Sequence, residues 1–257
     1  MKKISISGAA IKNIAYVTMF IDHFFAVLYW AVTERFFVGA EPQTLQSAYR
    51  AGRAVGRVSF VLFAFMIAEG FAYTRNRARY CMLMAVFAVL SEVPFDLAFS
   101  NVWFDPKSQN IYFTLFLGVA ALYLMEQWKD RRLLQTAVPI LACVFAALLR
   151  TDYMFMGVLL ILVFYYARGK FGWQVLAGSV VLYAGIVAVY TVRYFGQGYT
   201  MASYAKSGLR EMYGLFAFVF LSLYHGEKGR RMPKWLAYGF YPAHLLLLYG
   251  VKLLLAA

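Results

Sequence analysis

The 257 residues are 63% hydrophobic and 14% charged, where a soluble domain averages about 45–50% and about 25%, so a soluble globular chain is excluded and a polytopic membrane protein is expected. The net charge of +13 does not indicate nucleic-acid binding, because bases gathered in short loops between apolar runs are what the positive-inside rule produces. Cys81 and Cys143, both in apolar runs, offer neither a disulfide framework nor a cysteine metal site.

Apolar runs between charged breaks predict about nine spans, near 12–32, 54–73, 80–99, 109–127, 133–149, 153–167, 173–192, 211–225 and 235–256. The first run is too long, and too polar at its centre, for the core of a signal peptide. An odd number of spans puts the termini on opposite sides. Lys2, Lys3 and Lys12 at the start, Arg75, Arg77 and Arg79, Lys129, Arg131 and Arg132, Arg168 and Lys170, and the bases of 228–234 all then share one side, which predicts a cytoplasmic amino terminus. The opposite segments near 33–53 and 193–210 are longer and rich in Gly, Ser, Tyr and Gln, and have room for a re-entrant or tenth element. No internal repeat or linker interrupts the chain, which reads as one domain.

Within the first span, Asp22 and His23 sit in the apolar run from Lys12 onward. The helical rise carries His23 roughly 16 Å beyond Lys12, near the middle of a hydrocarbon layer of about 30 Å. Ionisable groups at that depth face a bundle interior or a wet cavity and are candidate sites by default. Asp22 need not be the partner of His23, since adjacent residues on a helix do not face each other. Arg53 and Arg57, four apart at the outer entrance of the second span, suit a two-pronged clamp or counter-ions for Glu92 and Asp96. Glu92 and Asp96 flank Pro94 in the outer half of the third span, and Glu69 lies in the inner half of the second. Asn110 and Asp152 open later spans from the outside, where each also suits a helix cap. His244 lies roughly 15 Å in from Lys234, level with His23. Aromatic residues make up 19% of the chain, but they scatter through the spans and cluster at their ends as an interface belt does. No phosphate-binding glycine loop, zinc-type His-Glu-x-x-His or nucleophile elbow is present.

Lys12 followed by ten residues and His23, the Ile-Asp-His triplet, Gly-Arg-Val-Ser-Phe-Val-Leu-Phe-Ala-Phe-Met-Ile-Ala-Glu-Gly-Phe at 56–71, Ser-Glu-Val-Pro-Phe-Asp-Leu at 91–97, Gln-Asn-Ile-Tyr-Phe-Thr-Leu at 109–115 and Tyr-Pro-Ala-His-Leu at 241–245 together resemble the TraX family. Its namesake acetylates the amino terminus of conjugal pilin. That family in turn resembles the wider transmembrane acyltransferase group. The resemblance implies an all-α bundle of about nine to ten transmembrane helices, which takes an acyl group from cytoplasmic acetyl-CoA or another acyl-CoA and delivers it across the cell membrane to a peptide, protein or glycan acceptor. It puts catalysis on a membrane-embedded histidine, His23, and its basic partner at Lys12, where relatives often carry Arg.

On that reading Lys12, Arg75, Arg77, Arg79 and Lys129 are the cations for the donor phosphates. His23 is a general base or transient acyl carrier, with Asp22, Glu92 and His244 as further catalytic candidates. Glu92 or another carboxylate is expected to orient His23 and stabilise its imidazolium, and His244 is a second acid or base, or a donor to the thioester oxygen. Arg53, Arg57, Asp96, Asn110 and Asp152 are expected to receive the acceptor. No metal is required, and lipid is the surrounding partner. Two other classes compete: a proton-coupled transporter with an intramembrane relay, and a non-catalytic assembly factor for a surface appendage.

Overall fold

A computed structural model describes residues 5–194, 197–198, 200–230 and 232–256. Lys2, Lys3 and Arg231, which entered the charge argument, lie outside the described residues. So do Phe195, Gly196 and Tyr199 of the second outer segment. The described chain is all-α. In order it forms α1 (Gly8–Phe36), α2 (Pro42–Tyr73), α3 (Arg77–Ser100), α4 (Ile111–Gln127), α5 (Arg132–Leu148), α6 (Met154–Tyr166), α7 (Phe171–Val192), α8 (Met201–Glu211), α9 (Phe216–Ser222) and α10 (Lys234–Ala256). Among the described residues, α1, α2, α3, α7 and α10 are long and apolar enough to cross a membrane, and α4, α5 and α6 are shorter apolar helices. The fold is therefore polytopic, as the alternation of apolar runs and basic breaks demands.

Two expectations are corrected in detail. The second span, expected from 54, begins at Pro42, inside the segment near 33–53 that had room for a further element; the fixed φ and missing N–H of proline suit a first turn. Its extension ahead of residue 54 is held by α1, through the Tyr29 hydroxyl on the Leu45 carbonyl at 2.9 Å and the Trp30 and Tyr49 rings 5.4 Å apart. The run at 211–225 is a 3₁₀ turn (Met212–Leu215) followed by the seven-residue α9, too short to cross a membrane unaided.

The chain forms two compact units. One comprises the segments up to Leu62, Leu90–Asp105 and Phe216 onward; the other comprises Phe63–Val89 and Pro106–Leu215. In the first unit the start of α1 is capped twice. The Ser7 hydroxyl accepts from the Ala10 N–H, and the Gly8 and Ala9 N–H groups donate to the carbonyls of Glu227 and Lys228 at 2.7 and 3.1 Å. Donors that a helix start leaves orphaned are thus satisfied by the turn after α9. Along the α1–α10 seam, Tyr16 donates to the Ala237 carbonyl at 2.5 Å and packs on Phe240. In the second unit α4, α5 and α6 pack together. Gly118 permits the close approach of α4 to α6, because a Cβ there would meet Ile161 at 2.6 Å.

Candidate active site

His23 ends the regular part of α1, and the next residues, Phe24–Leu28, wind as a π turn. Such a turn shifts the side chains after it out of α register and is often found at functional sites. Tyr16, Phe20 and His23 lie on the side of α1 that meets α10, where His244 is buried with 4% of its surface exposed.

The two imidazoles form the centre of the site. His23 Nδ1 and His244 Nε2 are 2.6 Å apart, with ring planes 6° apart and centroids separated by 4.9 Å. Rings in face-to-face contact cannot bring two nitrogens this close, so the imidazoles lie edge to edge and nearly coplanar. One nitrogen must donate and the other accept. His244 Nδ1 lies 2.7 Å from the Phe240 carbonyl, which can only accept, so that nitrogen carries a proton and Nε2 of a neutral His244 is the acceptor. His23 therefore donates from Nδ1, and its Nε2 keeps a lone pair. The ring's hydrogen bond to His244 uses Nδ1 and leaves that atom out. The Phe99 and Tyr241 rings meet the His23 ring edge-on at 5.7 and 5.8 Å, and Phe240 covers His244 at 4.9 Å. An unprotonated nitrogen framed by aromatic carbon is suited to take a proton or attack an electrophilic carbon.

Asp22 is turned to a different partner. Its Oδ2 accepts from Arg53 Nη1 at 2.6 Å, and the same nitrogen reaches the Asp22 carbonyl at 3.2 Å. Gly56 lies directly against the Asp22 carboxylate, where no Cβ could be accommodated, and Arg57 adds a second positive charge nearby. Arg53 is thus the counter-ion of Asp22, which corrects its assignment to Glu92 and Asp96. The orienting partner expected in Glu92 is likewise corrected: the polar partner of His23 is His244. Asp96 is fully buried and accepts the Asp105 N–H at 2.8 Å, so it closes the turn that follows α3.

The remaining candidates belong to the second unit, apart from Lys12, which is half-buried in the first turns of α1. Asn110 caps α4 through the Tyr112 N–H and donates to the Ala88 carbonyl at 2.8 Å. The Asp152 carbonyl accepts from Thr114, and its carboxylate accepts the Tyr153 N–H at 3.1 Å. Both residues are used by the fold itself. Arg75 and Arg77 line a cleft of about 470 Å³ with Asn76, Ala78, Tyr123, Glu126 and Gln127, whereas Arg79 and Lys129 are exposed. Glu69 pairs with Arg168 at 2.9 Å. Among the described residues no group of three or more His, Cys, Asp or Glu is arranged to hold a metal ion.

Phe99, Tyr241 and Glu126 were not legible as site residues. Nothing in a lone sequence says which aromatic of an apolar span meets a histidine on another helix. Glu126 did carry a signal, as an acid in the last turn of an apolar run that faces basic loops.

These features define a polytopic, all-α membrane protein with an imidazole pair buried between α1 and α10. The chain belongs to the TraX protein family, whose model matches residues 7–252. It is also similar to the "Probable fimbrial assembly protein FimC, serogroup H1" of Dichelobacter nodosus, at 25% identity over 269 residues that cover 99% of each chain. No solved structure matches the chain.

Proposed function

We propose that this chain is an acyltransferase of the cell membrane, moving an acyl group from cytoplasmic acyl-CoA, acetyl-CoA foremost, to an amine or hydroxyl presented at the outer side. The observation that carries the reading is the hydrogen-bonded sequence Phe240 carbonyl, His244, His23, which leaves a lone pair on His23 Nε2 inside an aromatic surround. In the proposed reaction the acceptor nitrogen or oxygen attacks the thioester carbonyl carbon, its bond to that carbon forms, and the carbon–sulfur bond breaks. His23 Nε2 takes the acceptor's proton and returns it to the departing thiolate, so charge balances without an external acid. His244 fixes the tautomer and shares the transient positive charge, much as an orienting group does in a triad. Lys12, Arg75, Arg77, Arg79 and Lys129 are the cations assigned to the donor phosphates, with the amino terminus inside. A fimbrial or pilin-like subunit is the favoured acceptor, because the similar Dichelobacter nodosus protein is described as a fimbrial assembly protein.

The test is acyl transfer from labelled acetyl-CoA by the purified chain in lipid nanodiscs, with a pilin-like peptide as acceptor. His23→Ala should lower the rate by about 10²–10⁴-fold, the usual contribution of a positioned base, while acetyl-CoA still raises the melting temperature. Transfer undiminished in His23→Ala would remove the central assignment. The description of the relative also favours a second reading, a non-catalytic assembly factor. Thermal stabilisation by no acyl-CoA, with assembly of the appendage still dependent on the chain, would select it.

A further inference from the structure

The cleft in the second unit is lined by two arginines, and one of them already holds an anion. Arg77 Nη1 pairs with the Glu126 carboxylate, Nε points at the Phe71 carbonyl at 3.5 Å, and the guanidinium lies 5.2 Å over the Phe71 ring. Three contacts therefore fix the orientation of this fork. Arg77 and Glu126 are each about one-third exposed at the cleft, so their pair is of the solvent-screened kind that contributes little stability. Glu126 is the one acid among the lining residues, with Arg75, Asn76, Tyr123 and Gln127 as the other polar groups. The cleft opens beside the first turn of α3, whose positive dipole end adds to the field. Its volume of about 470 Å³ lies within the range of small-molecule sites, about 300–1,000 Å³.

We infer that Glu126 is a built-in competitor in a phosphate-binding cleft: it occupies the Arg77 fork when the cleft is empty, and a phosphate ester carrying two charges displaces it. A carboxylate brings one negative charge to the fork, whereas a phosphomonoester brings up to two and a third acceptor oxygen, and Arg75 has no acid of its own among the described residues. Displacement favours the doubly charged ester by a few-fold, since every anion must offset the loss of the Arg77–Glu126 pair and a singly charged one brings no more charge than Glu126 itself. Identifying the ester with the nucleotide end of acyl-CoA rests on the acyltransferase reading; the competition does not. A phosphomonoester lipid headgroup, such as that of phosphatidic acid, has the same chemistry at this site.

The experiment measures binding of adenosine 3′,5′-bisphosphate, with adenosine as control, to the full chain in zwitterionic nanodiscs. Glu126→Gln is expected to tighten bisphosphate binding by about three- to fivefold, the equivalent of one exposed ion pair. Arg77→Gln is expected to weaken it at least tenfold, as is Ala78→Trp, which fills the cleft and serves if Arg77→Gln does not fold. Equal or weaker binding by Glu126→Gln, or unchanged binding by Ala78→Trp, overturns the inference. In discs containing phosphatidic acid, a phosphomonoester, co-purified anionic lipid that rises in Glu126→Gln and falls in Ala78→Trp, with no bisphosphate bound in zwitterionic discs, supports the competition with lipid as the phosphate source. Competition without acyl transfer keeps this inference and removes the acyltransferase reading. Transfer with bisphosphate binding unchanged in Glu126→Gln removes the inference and leaves that reading standing, whereas an unchanged KM for acyl-CoA in Arg77→Gln removes only the identification of the ester with acyl-CoA.

Discussion

The lone pair on His23 Nε2 exists because a proton is fixed at a distance, on His244 Nδ1 against the Phe240 carbonyl. Replacing His244 by Phe keeps a flat ring in the seam but removes that acceptor, so His23 is free to take either tautomer. The variant should lose part of the roughly 10²–10⁴-fold supplied by a positioned base, as a fall in kcat with KM for acyl-CoA unchanged, and its pH–rate profile should move. A loss confined to KM would make His244 a binding group. Gly56 is as demanding in another sense. A methyl group there collides with the Asp22 carboxylate, so Gly56→Ala should destabilise the protein by about 1–3 kcal/mol, measured as a lower midpoint of thermal unfolding in detergent. Sequence reasoning placed His23 and His244 level with each other, because depth follows from counting residues along a helix. It could not choose His244 over Glu92 as the partner, because that depends on which face of α10 meets α1.

Among the elements, the ends at the basic loops were the most legible. The basic loops at 75–79 and 129–132 stop α2 and α4 close to where charge counting places them. The opposite ends were not, since the polar stretch Gln43 to Arg53 stands outside the apolar run from 54 until the aromatic rings of α1 hold it as helix. Asn110 illustrates how an element start can imitate a site. It is a polar residue facing apolar surroundings, and the fold consumes both ends of its amide, one as the cap of α4 and the other on Ala88. Asn110→Ala removes the cap of α4 and the side-chain contact on the Ala88 carbonyl, so a loss of about 1–2 kcal/mol is expected, again read from thermal unfolding. A functional acceptor contact would instead show as impaired transfer with stability unchanged.

For the molecule as a whole, the orientation proposed from charge has a direct test. In a variant with Cys81 and Cys143 replaced by Ala, a cysteine at exposed Trp103 should react with a membrane-impermeant maleimide added outside intact cells. One at exposed Lys129 should react only after the membrane is opened. Reversed labelling would invert the topology and with it the side from which donor and acceptor arrive.

The two imidazoles stand 221 positions apart along the chain, and the first turn of α1 is anchored by carbonyls at 227 and 228. During synthesis His23 enters the bilayer early and waits for almost the entire remaining polypeptide before its partner exists. Ribosomes that stall or messages that end ahead of α10 therefore yield a membrane-inserted species whose histidine has no fixed tautomer and whose leading helix lacks its clasp. The His23–His244 contact and the clasp on α1 therefore form only once the chain through α10 has been made.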